Sequence, residues 1–136
     1  MVEITIEATV ENIPVVTDFV DEQLEKHGCS MKAIMQINIA IDELFGNIAH
    51  YAYRPENGMA TIRVDVDDNA YVVAITFEDK GVPFDPLTSP EPDVSLPMDE
   101  RAVGGLGILM VKKVMDEVAY EYKNGANILT IKKSLS

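Results

Sequence analysis

Cysteine is nearly absent. Cys29 is the only one in 136 residues, so no internal disulfide can form and the chain suits a reducing compartment. Cys29 falls in a turn-like stretch with no base beside it in sequence, a poor setting for a reactive thiolate. Basic residues are scarce as well. Eleven Lys and Arg stand against 23 Asp and Glu, for a formal net charge of −12. That balance argues against coating nucleic acid, which needs a basic footprint, and against docking on anionic lipid. Long apolar runs are missing too. No stretch approaches the ~18 residues of a membrane span, and no basic segment followed by an apolar run marks an export signal. The expectation is a cytoplasmic protein that touches neither nucleic acid nor membrane.

What is present is ordinary globular material: 47% hydrophobic and 25% charged, enough for one domain over residues 1–136 with a real core. Val2, Ile4, Ile6, Ala8 and Val10 alternate with polar residues and predict a half-buried strand. Asn12 to Pro14 reads as a helix start, and Val16, Phe19, Val20 and Leu24 form an apolar stripe that Gly28 ends. Ser30 is placed to cap a long helix running to about Tyr53. Ile62, Val64 and Val66 alternate into a strand. A hairpin signal at Asp67-Asp68-Asn69 returns the chain through Tyr71 to Glu78. Five of the seven prolines lie between Pro83 and Pro97, which excludes a helix or a central strand there. A long irregular stretch of this kind reads as a lid or as a passive surface loop. A short helix from Gly107 to Met115, a strand at Val118 to Tyr122, an Asn124-Gly125 turn and a closing strand from Asn127 to Lys133 complete the chain. The predicted fold is α+β: a two-layer α/β sandwich whose mostly antiparallel, mixed sheet carries helices on one face.

The long helix carries polar residues in a pattern. With Glu43 as origin and ~100° per residue, Asn47 falls near 40° and His50 near −20°, while Ile34, Ile37, Ile41, Leu44 and Ile48 fall within roughly 100° to 180°. On this helix alone, a solvated polar edge explains the stripe better than chemistry does. Two further segments change the balance. Asp79-Lys80-Gly81-Val82-Pro83 follows directly after a predicted strand, where an ionised carboxylate could accept from an exocyclic amine and Gly81 could allow close approach. Gly104-Gly105-Leu106-Gly107 opens a helix and could present N–H groups to phosphate. An Asn carbonyl such as Asn47 suits Mg²⁺, which keeps waters and phosphate oxygens as its other ligands. A carboxylate one turn away, Glu43, could take a proton. His50 could balance charge nearby or be structural. Neither glycine segment has the embedded Lys-Ser/Thr of a P-loop or the context of a dinucleotide fold.

These motifs, in this order, resemble those of the GHKL superfamily of ATP-binding domains, in its branch of bacterial anti-sigma regulatory factors that act as serine protein kinases. The stretch from Ile39 to Tyr53, with Asp42-Glu43-Leu44-Phe45-Gly46-Asn47 at its centre, resembles the N box. Phe77 to Pro86 resembles the first glycine box. Gly104-Gly105-Leu106-Gly107-Ile108 resembles the second, and Val114-Met115-Asp116-Glu117-Val118 is also typical of the branch. The resemblance implies binding of ATP or ADP with Mg²⁺, Glu43 as catalytic base, Asn47 as Mg²⁺ ligand and Asp79 as adenine reader. Gly81 and Pro83 would belong to the adenine side and Gly104, Gly105, Leu106 and Gly107 to the phosphate side, beneath a lid from Pro86 to Val103. Arg101, the only basic residue of that lid, would be the candidate for the terminal phosphate. The implied partners are a sigma factor and a small antagonist protein carrying the acceptor serine, with a homodimer expected from the family alone. The sequence departs from relatives at Gly125-Ala126-Asn127, where many have a Gly-Thr pair. Asn127 and Thr130 are both candidates for the missing polar contact. A non-catalytic module that sequesters its partner is the alternative within the same fold. The chain ends soon after its last strand, so a hydrolysis-coupled chaperone is not expected, nor is a sensor histidine kinase.

Overall fold

Alternating residues build the first strand, β1 (Val2–Glu7), in a computed structural model that describes residues 1–53, 56–88 and 105–136. β1 is shorter than its alternation predicts. Its partner β2 (Met59–Asp67) begins opposite Glu7, so the ladder ends there whatever side chains follow. The Asn12 amide then donates to the Glu7 carbonyl at 2.9 Å, and Val10–Asn12 form a 3₁₀ turn. Helix α1 (Ile13–Lys26) starts with proline in its first turn, and the chain leaves it through Gly28 at φ +71°, a left-handed conformation that glycine adopts without strain.

Helix α2 (Met31–Asn47) is capped as expected: the Ser30 Oγ accepts from the Ala33 N–H at 3.1 Å. It does not run on unchanged to Tyr53. Residues Ile48–Ala52 form a π-helical turn, a widened geometry found mostly at functional sites. Strand β3 (Val72–Asp79) follows an Asx turn in which the Asp67 carboxylate accepts from the N–H groups of Asn69 and Ala70. Tyr71 has positive φ, so β3 begins one residue later than predicted. Helix α3 (Gly105–Val114) and strands β4 (Glu117–Lys123) and β5 (Ala126–Ser134) complete the described fold. Asn124 and Gly125, both with positive φ, make the β4–β5 turn, as the primed hairpin turns require.

The sheet order is β1-β2-β3-β5-β4. All four pairings are antiparallel, so no parallel pair accompanies them. Inward residues Ile62, Val64, Ile75, Phe77, Leu129 and Ile131 pack against Val16, Val20 and Leu24 of α1, Ile34, Ile37, Ile41 and Phe45 of α2, and Ile108 and Val111 of α3. Full burial of one such side chain contributes ~1.5–3 kcal/mol before entropy is counted. The opposite face is polar. Thr5 meets Thr61 at 2.8 Å, Thr76 meets Thr130 at 3.3 Å, and Arg63 bridges Glu3 and Glu78. No helix among the described residues is long and apolar enough to cross a membrane.

Candidate active site

The ends of α2 and β3 are tied together by backbone. The Ala52 carbonyl at the close of the π turn accepts from the Val82 N–H at 2.8 Å. Gly81 lies so near Ala52 that an added Cβ would fall on that carbonyl. Tyr53 adds a second tie: its hydroxyl donates to the Met59 carbonyl at 2.6 Å and accepts from the Lys80 N–H at 2.8 Å. Glycine at position 81 is thus required by close packing.

Between α2 and the sheet lies a cavity of about 430 Å³, counting its open mouth, lined by Leu44, Asn47, Ile48, Ala52, Phe77, Asp79, Val82, Phe84, Pro86, Tyr120, Asn127 and Leu129. Most of this wall is apolar. Asp79 is its one carboxylate and is only 5% exposed. The Asp79 Oδ1 accepts from the Gly81 N–H at 2.9 Å and from the Asn127 Nδ2 at 2.9 Å. Burial raises the Asp79 pKa above the ordinary carboxylate range, and the bonds from Asn127 and Gly81 work against that rise. An acceptor in an apolar slot suits a flat heterocycle with an amine on its edge.

Asn127 sits directly opposite Asp79 in the β3–β5 register and is 6% exposed. Besides its bond to Asp79, Nδ2 donates to the Val82 carbonyl at 2.8 Å. Oδ1 accepts from the Phe84 N–H at 3.0 Å and from the Tyr120 hydroxyl. Its polar groups are therefore committed within the protein. Thr130 is on the other face of β5 and pairs with Thr76, away from the cavity. Of the two candidates for the missing polar contact, Asn127 lines the cavity and Thr130 does not.

Glu43 lies one helical turn before Asn47. Its Oε1 is buried and takes no hydrogen bond from any described residue. Burial raises its pKa, and the Asn47 side chain offsets part of that rise. Gly107 of α3 stands over the carboxyl group, where an added Cβ would overlap it. Among the described residues no group of three or more His, Cys, Asp or Glu could hold a metal. Mg²⁺ with one Asn oxygen, waters and phosphate oxygens needs no such group. The acceptor in the slot, the cradle at Gly81 and the unpartnered Glu43 fit ATP with Mg²⁺.

The other predicted site residues divide. His50 is exposed, its ring tilted against Tyr51 with centroids 6.0 Å apart, and Pro83 is exposed. Neither lines the cavity. Gly105 and Leu106 open α3. Arg101 and Gly104 lie outside the described residues, as does most of the Pro86 to Val103 segment; Pro86–Thr88 form a 3₁₀ turn. Sequence reasoning missed Tyr53, Ala52 and Tyr120, whose roles arise from contacts between distant segments.

The sequence profile of the histidine kinase-like ATPase domain matches residues 6–133. The chain belongs to that family. The motif resemblance to the GHKL superfamily, in its anti-sigma serine kinase branch, accords with its relatives. It is similar to the serine/threonine-protein kinase BtrW of Bordetella bronchiseptica, at 25% identity over 95 residues, covering 70% of this chain and 66% of that one. It is 24% identical over 131 residues to the serine-protein kinase RsbW of Staphylococcus aureus, covering 93% of this chain and 82% of the relative. The fold is shared with the RsbU and RsbW domains of Rv1364c from Mycobacterium tuberculosis, at TM-score 0.65 and 16% identity, over 98% of this chain and 32% of that one. The histidine kinase domain of a blue-light activated kinase from Erythrobacter litoralis gives TM-score 0.53 at 17% identity, over 76% of this chain and 45% of that one.

Proposed function

We propose that the chain is an ATP-dependent serine protein kinase that holds a sigma factor and phosphorylates a small antagonist. The observation that carries this is the placement of Asn47 and Asp79 on one cavity wall, with Glu43 one turn behind Asn47. Bound ATP with Mg²⁺ would supply the transferable phosphoryl group and the charge that steadies its transfer. Asp79 accepts from the exocyclic amine of adenine. The apolar walls of Phe77, Leu129 and Ile48 exclude water from the base. Asn47 offers one carbonyl oxygen to the metal. Glu43 accepts the proton of the attacking serine hydroxyl, a task its raised pKa suits. The relatives named as serine kinases support the reading.

A non-catalytic module that binds nucleotide and sequesters a partner is the second reading. The cover of Gly107 over the Glu43 carboxyl favours it. The test is to recover partners bound with ADP, add ATP, and locate phosphate by mass spectrometry. The kinase reading expects phosphoserine on a small partner with the wild type and none with Glu43→Ala, while both proteins bind nucleotide. Nucleotide binding without any transfer decides for the module. Failure to bind nucleotide ends both readings.

A further inference from the structure

Asp79 has two oxygens, and the protein treats them differently. A carboxylate oxygen offers about two lone-pair directions. On Oδ1 two donors are already in place: the Gly81 N–H and the Asn127 Nδ2, each at 2.9 Å. Oδ2 takes no hydrogen bond from a described residue and is not among the buried atoms left without a partner, so it faces the cavity that Asp79 lines. The amide orientation of Asn127 is not arbitrary. The Phe84 backbone N–H can only donate, so the Asn127 oxygen must face it and the NH₂ must face Asp79 and the Val82 carbonyl. The Tyr120 hydroxyl on the same oxygen reinforces that choice.

This asymmetry bears on which base the slot accepts. Adenine presents one amine donor beside a ring-nitrogen acceptor. Guanine presents two adjacent donors, N1–H and the 2-amino group, which together match a carboxylate with both oxygens free. We propose that Asn127 is a positioning residue for base selectivity: by occupying Oδ1 of Asp79 it leaves a single acceptor, suited to adenine, and denies guanine its two-point contact. The inference rests on the nucleotide-binding reading above. The donated bond also helps keep the buried carboxyl ionised, as an acceptor must be. The same amide holds Val82 and Phe84, so the cavity mouth and the base reader are set by one side chain.

The experiment measures ADP and GDP affinity by calorimetry for the full chain, for Asn127→Asp, for Asn127→Ala and for Tyr120→Phe, with thermal unfolding as the check on folding. Asn127→Asp replaces the donor with an acceptor in the same shape, and Asn127→Ala removes it. Tyr120→Phe leaves the bond to Asp79 in place. The expected result is an ADP preference in the wild type that falls about tenfold or more in either Asn127 variant, the scale of one hydrogen bond to a charged group. Tyr120→Phe should keep the preference within about threefold. An equal loss of ADP and GDP affinity in the Asn127 variants, or an unchanged ratio, overturns the proposal while leaving nucleotide binding intact. Unfolding of both Asn127 variants also overturns it, because the residue then serves the fold alone. A wild type that binds neither nucleotide removes the nucleotide reading, and this inference with it.

Discussion

Gly107 of α3 stands directly over the carboxyl group of Glu43 in α2, close enough that no side chain could replace its hydrogen without moving Glu43. The predicted catalytic base and the second glycine segment, 64 positions apart, thus share one small volume. Gly107→Ala tests the relationship. Alanine inside a helix is favoured over glycine by about 0.5–1 kcal/mol, and the overlapped group is the end of a flexible side chain. Thermal stability should stay near wild type while phosphoryl transfer falls about 100-fold or more, the weight of a displaced general base. Unimpaired transfer in this variant would separate Gly107 from the chemistry.

Gly81→Ala should behave differently, because its neighbour is the Ala52 backbone. Nothing there can swing aside, and the Val82 N–H to Ala52 carbonyl bond would open. The expected loss is about 1–3 kcal/mol, as for other overpacked sites. A urea midpoint equal to wild type would show that the loop relocates freely.

Glu43→Gln should stabilise the nucleotide-free protein and abolish transfer. The Glu43 carboxyl is held above its ordinary pKa of 4.5 mainly by burial. A raised carboxyl pKa means the folded state binds protons more tightly than the unfolded one, so stability is lost as pH rises through the folded value. The gain from Gln should therefore be a few degrees in Tm, about 2–4 °C, at neutral pH. It should shrink toward zero near pH 4, where the carboxyl is protonated in both states. Melting curves of both proteins across pH 4 to 8 check the sign.

Nucleotide binding should show the opposite trend. Asp79 must be ionised to accept from a base, yet burial lifts its pKa above 3.8. Adenine-nucleotide affinity should weaken as pH falls toward that raised value, before exposed carboxylates titrate. Asp79→Asn should bind weakly at neutral pH and lose this pH response. Calorimetry at pH 5, 6 and 7.5 distinguishes the two proteins; parallel curves would remove Asp79 as the reader.

Much of the fold was legible because it is periodic. Alternation marked all five strands, and Gly28 and Asn124-Gly125 marked their turns. β1 was overdrawn because alternation reports which way side chains point, whereas the ladder ends where β2 ends, at Met59 opposite Glu7. The π turn was not legible, since five residues are too few to separate its wider turn from an α-helix. Asn47 and Asp79 were found through their motifs, and both line the cavity. The choice between Asn127 and Thr130 was within reach of parity alone: Asn127 shares a face with buried Leu129 and Ile131, and Thr130 does not. Tyr53 and Tyr120 gave no local signal, because their hydroxyl partners come from other strands and loops.

The π turn at Ile48–Ala52 makes this corner sensitive to chain length as well as to residue identity. Removing any one residue there would let the backbone rewind as plain α-helix. Asn47 would keep its place, but everything after it would rotate by ~100° and retreat by ~1.5 Å. The Ala52 carbonyl would then miss the Val82 N–H, and the Tyr53 hydroxyl would miss Lys80. A conservative substitution in this turn leaves the count intact, whereas a one-codon deletion does not. Sequences that preserve the spacing from Asn47 to Tyr53 can vary its side chains and keep the corner; sequences that change the spacing must rebuild it.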